Sequence, residues 1–227
     1  MGFTYVDRTL NRRRNDKVAY GATWAFGNAP AQGELPRLLI FDTGTARGRG
    51  VRALEDIAEG SYVMEYLGEL VDEKEARRRE KLYLSTEPRV QHYLYDILGS
   101  LDAGGASASR KRAPLLGTID STFYGNVARM VNHSCGGANL VCRVEYGKKS
   151  RLPCLLMYAS RDIRAGEELL IDYCFSKPLY ADGEGGAGAA GAHAEVGDRS
   201  VGDRSPTGHM LIRCLCGSDN CRGFLWV

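Results

Sequence analysis

The segment Arg129-Met130-Val131-Asn132-His133-Ser134-Cys135 places a guanidinium, an amide, an imidazole, a hydroxyl and a thiol within seven residues. This density of polar and reactive groups is typical of a loop that binds a polar or charged ligand. Further along the chain, residues 163–173 give a turn and then an apolar strand that ends in Tyr173. A tyrosine in such a place is usually a core residue with a wet hydroxyl. The meaning of both segments therefore depends on the rest of the chain.

A second cluster of reactive side chains lies in the last residues, where Cys214, Cys216 and Cys221 have the spacing C-x-C-x4-C. Three thiolates on one tight turn supply three of the four ligands of a tetrahedral zinc site, and Cys135 is the leading candidate for the fourth. Five other side chains are alternatives: Cys142, Cys154, Cys174, His193 and His209. These three cysteines suit small buried positions, and both histidines lie in or after a glycine-rich tract.

Composition narrows the class of protein. The chain has 227 residues, a net charge of +2 and a pI near 8.1, which are ordinary for a soluble domain and give no basic surface for nucleic acid. The short basic run at residues 11–14 is interpreted as a solvated tail. No apolar run approaches the ~18 residues of a membrane span, so we expect an intracellular protein without a membrane partner.

The hydrophobic pattern predicts a mainly β fold, a β-rich α+β class with many short strands. The strands are predicted at residues 37–41, 62–67, 93–97, 116–120, 140–144, 155–159 and 168–173. A capping box at residues 72–75 opens one helix to about Leu84, whose Arg77–Arg79 run we expect to be a solvated face, with a partner contact as the alternative. No βαβ alternation is present, which excludes a doubly wound nucleotide fold.

Five segments occur in the order seen in one family. They are the glycine loop at residues 47–51, then residues 65–69, 119–135, 162–173 and 214–226. Together they resemble the SET-domain protein lysine methyltransferases, most of all the histone H3 lysine-9 enzymes of the suppressor-of-variegation type. The resemblance implies a SET fold of several small sheets with a knot-like C-terminal crossing, plus a zinc-bound post-SET tail.

The resemblance also divides the chain. It implies an N-terminal extension at 1–36 and a SET domain at 37–180, which carries a low-complexity insert at about 102–112. A flexible Gly/Ala-rich linker at 181–208 and a zinc-binding post-SET segment at 209–227 follow. Glycine-rich tracts of this kind bury little and are expected to be mobile.

The implied cofactor is S-adenosylmethionine, and the implied acceptor is a lysine side chain. Eight residues are implied in cofactor binding, namely Gly48, Arg49, Gly50, Arg129, Asn132, His133, Phe224 and Leu225. For His133, a role as a merely satisfied buried histidine is the alternative. Tyr173 matches the catalytic tyrosine of the family, and Tyr66 resembles a second tyrosine at the methyl-transfer site.

Channel and metal residues follow from the same resemblance. The implied lysine channel includes Tyr95, Ile171 and Trp226, and one structural zinc ion is implied at Cys135, Cys214, Cys216 and Cys221. Relatives carry Phe or Tyr where this chain has Ile171, so we predict that methylation can proceed beyond the first methyl group.

The chain departs from the family at three further places. Residues 1–46 contain no cysteine, whereas the lysine-9 enzymes carry a nine-cysteine cluster before the glycine loop. Arg49 stands where many relatives have Trp, and one residue is inserted after Cys135. The missing cluster weakens the assignment of lysine 9 as the target, Arg49 weakens the expectation of a stacking contact with the cofactor, and the insertion shifts the loop locally while Asn139 is still present.

The expected partner is a protein with a lysine-containing peptide, a histone tail above all, and we expect nuclear, chromosomal localisation, contact with the nucleosome and a monomer. Three alternatives remain: a non-histone protein lysine methyltransferase, a catalytically silent SET-fold peptide-binding module, and a zinc-dependent nucleic-acid binder. Weak net charge and the absence of a predicted recognition helix beside the cysteines disfavour the last.

Overall fold

The computed structural model describes residues 4–5, 10–11, 19–20, 35–86, 93–98, 115–146, 152–173 and 211–226. These ranges contain α1 (Glu73–Thr86), a 3-10 helix (Val127–Met130) and sixteen strands. The strands are β1 (Thr4–Tyr5), β2 (Leu10–Asn11), β3 (Ala19–Tyr20), β4 (Leu38–Asp42), β5 (Arg49–Ala53), β6 (Tyr62–Tyr66), β7 (Glu69–Val71), β8 (Leu94–Leu98), β9 (Leu115–Asp120), β10 (Tyr124–Gly125), β11 (Asn132–His133), β12 (Leu140–Tyr146), β13 (Pro153–Ala159), β14 (Leu170–Ile171), β15 (Leu211–Arg213) and β16 (Phe224–Trp226).

A three-stranded antiparallel sheet, in the order β12-β13-β6, lies at the centre of the fold. Its middle strand β13 is buried at all seven positions, which explains the unbroken apolar run of its sequence. Met64, Leu155 and Met157 pack from this sheet into the main hydrophobic core. Tyr66, at the end of β6, belongs to the same core, so one predicted catalytic residue is held within the main hydrophobic cluster of the described residues.

A five-stranded sheet in the order β3-β2-β7-β9-β8 lies beside helix α1, which contacts β9. Strand β7 was not predicted, because three residues after Gly68 are too short to show a periodic pattern. No helix within the described ranges is long and apolar enough to span a membrane.

Three small sheets carry the segments predicted to be functional. Strand β4 pairs with β5 around the glycine loop, and β15 pairs with β16 in the cysteine-rich tail. Strand β11 pairs in parallel with β14, so that Asn132 faces Leu170 and His133 faces Ile171. The strand predicted over 168–173 is therefore only two residues long, with one isolated bridge between Glu168 and Arg52.

The mainly β fold class with several small sheets is confirmed. The domain limits remain predictions, since the insert at 102–112 and the linker at 181–208 lie outside the described residues. The knot-like crossing also stays a prediction, because it involves the chain after Tyr173, much of which lies outside them.

The capping box of α1 forms only in part. The N–H of Glu75 donates to Asp72 Oδ1 at 2.9 Å, as predicted for an N-cap. The carboxylate of Glu75 does not return to the cap but binds the guanidinium groups of Arg78 and Arg79. A full positive charge attracts this carboxylate more strongly than a backbone N–H.

The prediction that Arg79 lies on a solvated helix face is wrong. Its side chain is 8% exposed, and Nη1 donates to Glu69 Oε2 at 2.8 Å and to Asp120 Oδ2 at 2.7 Å. Tyr83, one turn later on the same face, donates its hydroxyl to Asp120 at 2.7 Å. Arg79 therefore fastens the helix to β7 and β9 through buried charges.

Replacing Arg79 with methionine should destabilise the fold strongly, because two buried carboxylates lose their cation. We expect a loss of about 3–5 kcal/mol in the free energy of unfolding, measured by urea denaturation. The matched control is Arg77→Met on the same helix, where an exposed pair with Glu73 should cost less than about 1 kcal/mol. Equal losses in the two variants would contradict a special role for the buried pair.

Candidate active site and metal centre

The glycine loop, Asn132 and Glu168 form one polar cradle. Asn132 Nδ2 donates to the carbonyl of Arg49 at 3.1 Å and to Glu168 Oε1 at 2.9 Å. Arg47 Nη1 binds both oxygens of the Glu168 carboxylate at 3.2 Å. Two of the predicted cofactor-binding segments are thus joined by a carboxylate that the sequence analysis did not single out.

Gly50 allows this close approach. A Cβ at this position would lie 2.6 Å from Glu168 Oε1 and 3.0 Å from the ring of Phe41, so any larger residue would push the carboxylate away. Gly48 has a φ of +70°, which glycine adopts readily. The loop therefore presents bare backbone beside an amide and a carboxylate, a combination that fits the amino-acid end of S-adenosylmethionine.

Glu168 is a residue of the candidate site that sequence reasoning did not single out, and the buried side chain of Asn139 holds it in place. Asn139 is 1% exposed; its Nδ2 donates to the carbonyl of Glu168 at 2.9 Å, and its Oδ1 accepts from the N–H of Leu170 at 2.8 Å. It therefore fixes the backbone on both sides of Leu169. A signal existed in the sequence, since Glu168 is an acidic residue directly before an apolar strand.

His133 connects the cysteine cluster to Tyr173. Its Nδ1 accepts the backbone N–H of Tyr173 at 3.0 Å, and its Nε2 lies 3.0 Å from Cys135 Sγ. Burial lowers the pKa of His133 to about 4, so the ring is neutral at neutral pH. Because Nδ1 accepts a hydrogen bond, the ring proton is on Nε2 and is donated to Cys135.

The cysteine cluster has the donor set of a metal site. The ligand atoms of His133, Cys135, Cys214 and Cys216 all lie within 4.8 Å of one another. Cys135 Sγ and Cys214 Sγ are 3.8 Å apart, close to the ~3.8 Å that two thiolates span when each is ~2.3 Å from one zinc ion. The structure thus brings together three of the four predicted ligands, and Cys221 lies outside this tightest group.

The thiols of the cluster differ in pKa. Burial raises the pKa of Cys135 and of Cys214. Burial acts in the same direction on Cys216, but hydrogen bonds from Ser218 and from the backbone of Cys135 outweigh it and lower the pKa of Cys216 to about 6. A bound cation is needed to hold the cluster fully ionised. Since His133 uses its Nε2 proton on Cys135, Cys221 remains the predicted fourth ligand.

The tail packs tightly on the segment that contains Cys135. Ser134 Oγ and Ser218 Oγ are 2.9 Å apart, and the N–H of Arg222 donates to Cys135 Sγ at 3.4 Å. A Cβ on Gly136 would overlap the amide of Asn220. A larger residue at position 136 would therefore displace the side chain of Asn220.

Tyr66 is buried and Tyr173 is partly buried, and the hydroxyls of these two predicted catalytic tyrosines point to backbone carbonyls. Tyr173 donates to the carbonyl of Val131 at 2.7 Å, and Tyr66 donates to the carbonyl of Tyr93 at 3.2 Å. Burial raises the pKa of both hydroxyls, which keeps them neutral. Each oxygen retains lone pairs that can accept weak C–H hydrogen bonds.

Two of the predicted channel residues, Tyr95 and Ile171, pack in the same core as Tyr66. The rings of Tyr66 and Tyr95 have centroids 5.4 Å apart, and Ile171 is 3% exposed within the same core. Leu225 in β16 is buried and Phe224 beside it is half-buried. The side chain of Trp226 lies outside the described residues.

Arg129 lies on the tyrosine side of the site. Its guanidinium is 3.7 Å from the ring centroid of Tyr93, and its Nη1 donates to the carbonyl of Thr122 at 3.1 Å. Its described contacts are therefore with the neighbours of Tyr66, not with the cradle around Glu168. A cofactor-binding role for Arg129 stays a prediction.

The alternative fourth ligands are separated from the cluster where the structure describes them. Cys142 packs against the main core and Cys154 lies in a second hydrophobic cluster on β13. Cys174, His193 and His209 lie outside the described residues.

A family comparison identifies the class of protein. Residues 48–174, more than half of the 227-residue chain, match the SET domain family. The chain therefore belongs to the SET domain family. The match begins in the glycine loop and ends just after Tyr173, so it includes Gly50, Asn132, Glu168 and the two tyrosines that are predicted to be catalytic.

Individual relatives narrow the kind of SET protein. SUV39H1 of Xenopus laevis, a histone-lysine N-methyltransferase, is 33% identical over 195 residues, which cover 84% of this chain and 40% of that protein. The histone-lysine N-methyltransferase Su(var)3-9 of Drosophila melanogaster is 33% identical over 191 residues, 83% of this chain and 25% of that protein. The chain thus spans two fifths or less of the length of these two relatives.

Solved structures agree with the fold. SUVH6 of Arabidopsis thaliana, solved in complex with SAM, has a TM-score of 0.54 at 29% identity and covers 85% of this chain and 33% of that one. A structure solved to explain the product specificity of histone lysine methyltransferases has a TM-score of 0.53 at 28% identity, over 86% of this chain and 57% of that one. The SET fold predicted from the sequence is confirmed.

Cys135→Ser should lose the metal, because it removes the ligand that joins the tail to the rest of the fold. We expect one zinc ion per chain in the native protein and none in the variant after dialysis against metal-free buffer, measured by inductively coupled plasma mass spectrometry. Cys142→Ser is the matched control and should keep its zinc.

His133→Gln tests whether His133 is a metal ligand or only a hydrogen-bond partner of Cys135. If His133 is only a hydrogen-bond partner, its replacement should lower the zinc affinity by only about 10–100-fold. Full retention of zinc by Cys135→Ser would contradict the assignment of Cys135.

Proposed function

We propose that this chain transfers methyl groups from S-adenosylmethionine to the ε-amine of a lysine in a histone. The activities in the names of its relatives support this proposal. The observation on the chain itself that carries it is the pairing of β11 with β14. That pairing joins the polar cradle of Asn132 and Glu168 to the segment that ends in the partly buried Tyr173.

The cradle suits the donor molecule. S-adenosylmethionine, when bound, supplies a methyl group on a sulfonium, whose leaving thioether is neutral and needs no acid catalyst. The carboxylate of Glu168 and the carbonyl of Arg49 can accept hydrogen bonds from an ammonium group, while Arg47 supplies a cation for a carboxylate. The glycine loop lets these groups approach a ligand without a side chain between them.

The tyrosines would prepare the acceptor lysine. A free lysine has a pKa of about 10.4, and an apolar aromatic channel lowers it toward the neutral amine that can attack. Tyr66 and Tyr173 stay neutral and donate their hydroxyl hydrogens to backbone carbonyls, so the lone pairs on their oxygens can orient the amine and the methyl group. Alignment of this kind can supply a large part of the rate enhancement of a displacement reaction.

A zinc ion in this chain would be structural. Four cysteine ligands leave no open position for water or substrate, so the metal would take no part in the methyl transfer. Its effect would be to hold β16, with Phe224 and Leu225, next to the segment of Asn132 and His133. Those tail residues were predicted to contact the cofactor.

The finer assignment is a histone H3 tail as substrate, and it rests on the resemblance to the lysine-9 enzymes. It implies action on chromatin in the nucleus, contact with the nucleosome and a monomeric enzyme. The missing cysteine cluster in residues 1–46 leaves the particular lysine open. A panel of histone and non-histone peptides tests this assignment directly.

Tyr173→Phe should lower methyl transfer by at least about 100-fold, because it removes the hydroxyl that orients the reacting groups. The measurement is transfer of a labelled methyl group from S-adenosylmethionine to core histones, with cofactor binding followed by calorimetry. Tyr146→Phe is the control, since Tyr146 is 53% exposed on β12. Equal activity of both variants would refute the catalytic role of Tyr173.

The native enzyme should produce dimethyl or trimethyl lysine, because Ile171 adds no hydroxyl to the channel and is smaller than phenylalanine. Ile171→Tyr should stop the reaction at the first methyl group, which mass spectrometry of a histone peptide at saturating donor would reveal. If the native protein stops at monomethyl lysine, Tyr95→Phe tests whether the Tyr95 hydroxyl imposes that limit. Monomethyl product alone from both the native protein and Tyr95→Phe would sink the prediction.

A further inference from the structure

A bidentate ion pair joins the cysteine-rich tail to the residue before Tyr173. Arg222 Nη1 donates to Asp172 Oδ2 at 3.0 Å, and Arg222 Nη2 donates to Asp172 Oδ1. Arg222 directly follows Cys221, and Asp172 lies between Ile171 and Tyr173. The pair therefore joins the cysteine-rich tail to the residue between β14 and Tyr173.

The two backbones that carry this pair are already fixed close to the charges. The N–H of Arg222 donates to Cys135 Sγ, and the N–H of Tyr173 donates to His133 Nδ1. The side chains of Arg222 and Asp172 are 43% and 26% exposed, and an ordinary pair at such a site contributes little to stability. A fork of two parallel hydrogen bonds adds geometric specificity, and its backbones need little further ordering.

The residues on both sides of Asp172 are themselves held in place, so the geometry of the ion pair can affect the position of Tyr173. Ile171 is held by β14, and the hydroxyl of Tyr173 is held by the carbonyl of Val131. Asp172 joins these two fixed points; its carboxylate binds Arg222 of the tail, and its Oδ1 also lies 3.6 Å from His133 Nδ1, the atom that accepts the N–H of Tyr173. A hydrogen bond to the side chain of Asp172 therefore restrains the backbone between Ile171 and Tyr173.

We propose that the Arg222–Asp172 pair positions Tyr173 and attaches the tail through a contact that does not involve the metal. Both are positioning residues, and their effect on catalysis rests on the proposed methyltransferase activity. Zinc and the ion pair then hold the tail at two different points. The metal would hold the tail at Cys135, and Arg222 would hold it at Asp172, directly after β14.

The direct test is amide hydrogen exchange at Ile171–Tyr173, read by mass spectrometry of the full chain. In Arg222→Gln we expect exchange in this segment to rise about tenfold or more, because local opening becomes easier. Zinc content should stay at one ion per chain. The control is Arg164→Gln, which removes an exposed arginine bound to Asp56 at 3.1 Å and should change neither quantity.

A double variant shows whether the two residues act as a unit. Arg222→Gln combined with Asp172→Asn should raise exchange no more than Arg222→Gln alone, since the interaction is already lost. Additive increases would overturn the proposal. So would unchanged exchange in Arg222→Gln, or loss of zinc together with the change in exchange.

A measurement of methyl transfer then distinguishes a failure of this inference from a failure of the proposed function. If the native protein methylates histones, Arg222→Gln should lower kcat by about 10–100-fold, as expected for a misplaced catalytic group. A kcat within twofold of the native value would overturn the positioning role. If the native protein shows no methyl transfer, the proposed function fails, while the exchange experiment still decides whether the ion pair holds Tyr173.

Discussion

Two residue pairs hold the site together: Asn132 with Leu170, and His133 with Ile171. A parallel pairing of two residues is too short to be stable alone, and the chain between its strands must return from a long excursion. The pairing is stable because further hydrogen bonds extend it on both sides. The N–H of Ser134 donates to Ile171, and the buried amide of Asn139 takes the place of further ladder bonds.

Each chemical group of the site depends on that pairing. On one side, Asn132 reaches the glycine loop and Glu168. On the other, His133 receives the N–H of Tyr173 and contacts Cys135. A shift of one residue in register would exchange the faces of Asn132 and His133 and separate both groups from their partners. The polar cradle around Glu168, the position of Tyr173 and the cysteine cluster are therefore set by one alignment.

Sequence reasoning found the residues whose chemistry is distinctive and missed those whose role depends on distant partners. The cysteine spacing predicted three metal ligands and pointed to Cys135, because ligand geometry demands a fourth donor. Arg79 was misplaced, since its partners Glu69 and Asp120 come from other elements that local periodicity does not show. Glu168 was missed for the same reason. A single acidic residue acquires meaning only when Gly50 and Asn132 are known to lie beside it.

The contact between Cys135 and Cys214 has a consequence for the unfolded chain. The two residues are 79 positions apart, so a metal that joins them closes a long loop. By the chain-entropy treatment of cross-links, closure of such a loop disfavours the denatured state by roughly 4–5 kcal/mol. This contribution changes slowly with loop length, by only about 0.6 kcal/mol for each doubling. Evolution could therefore lengthen or shorten the glycine-rich tract between the two cysteines with little loss of stability, provided that both ends of the loop kept their cysteines.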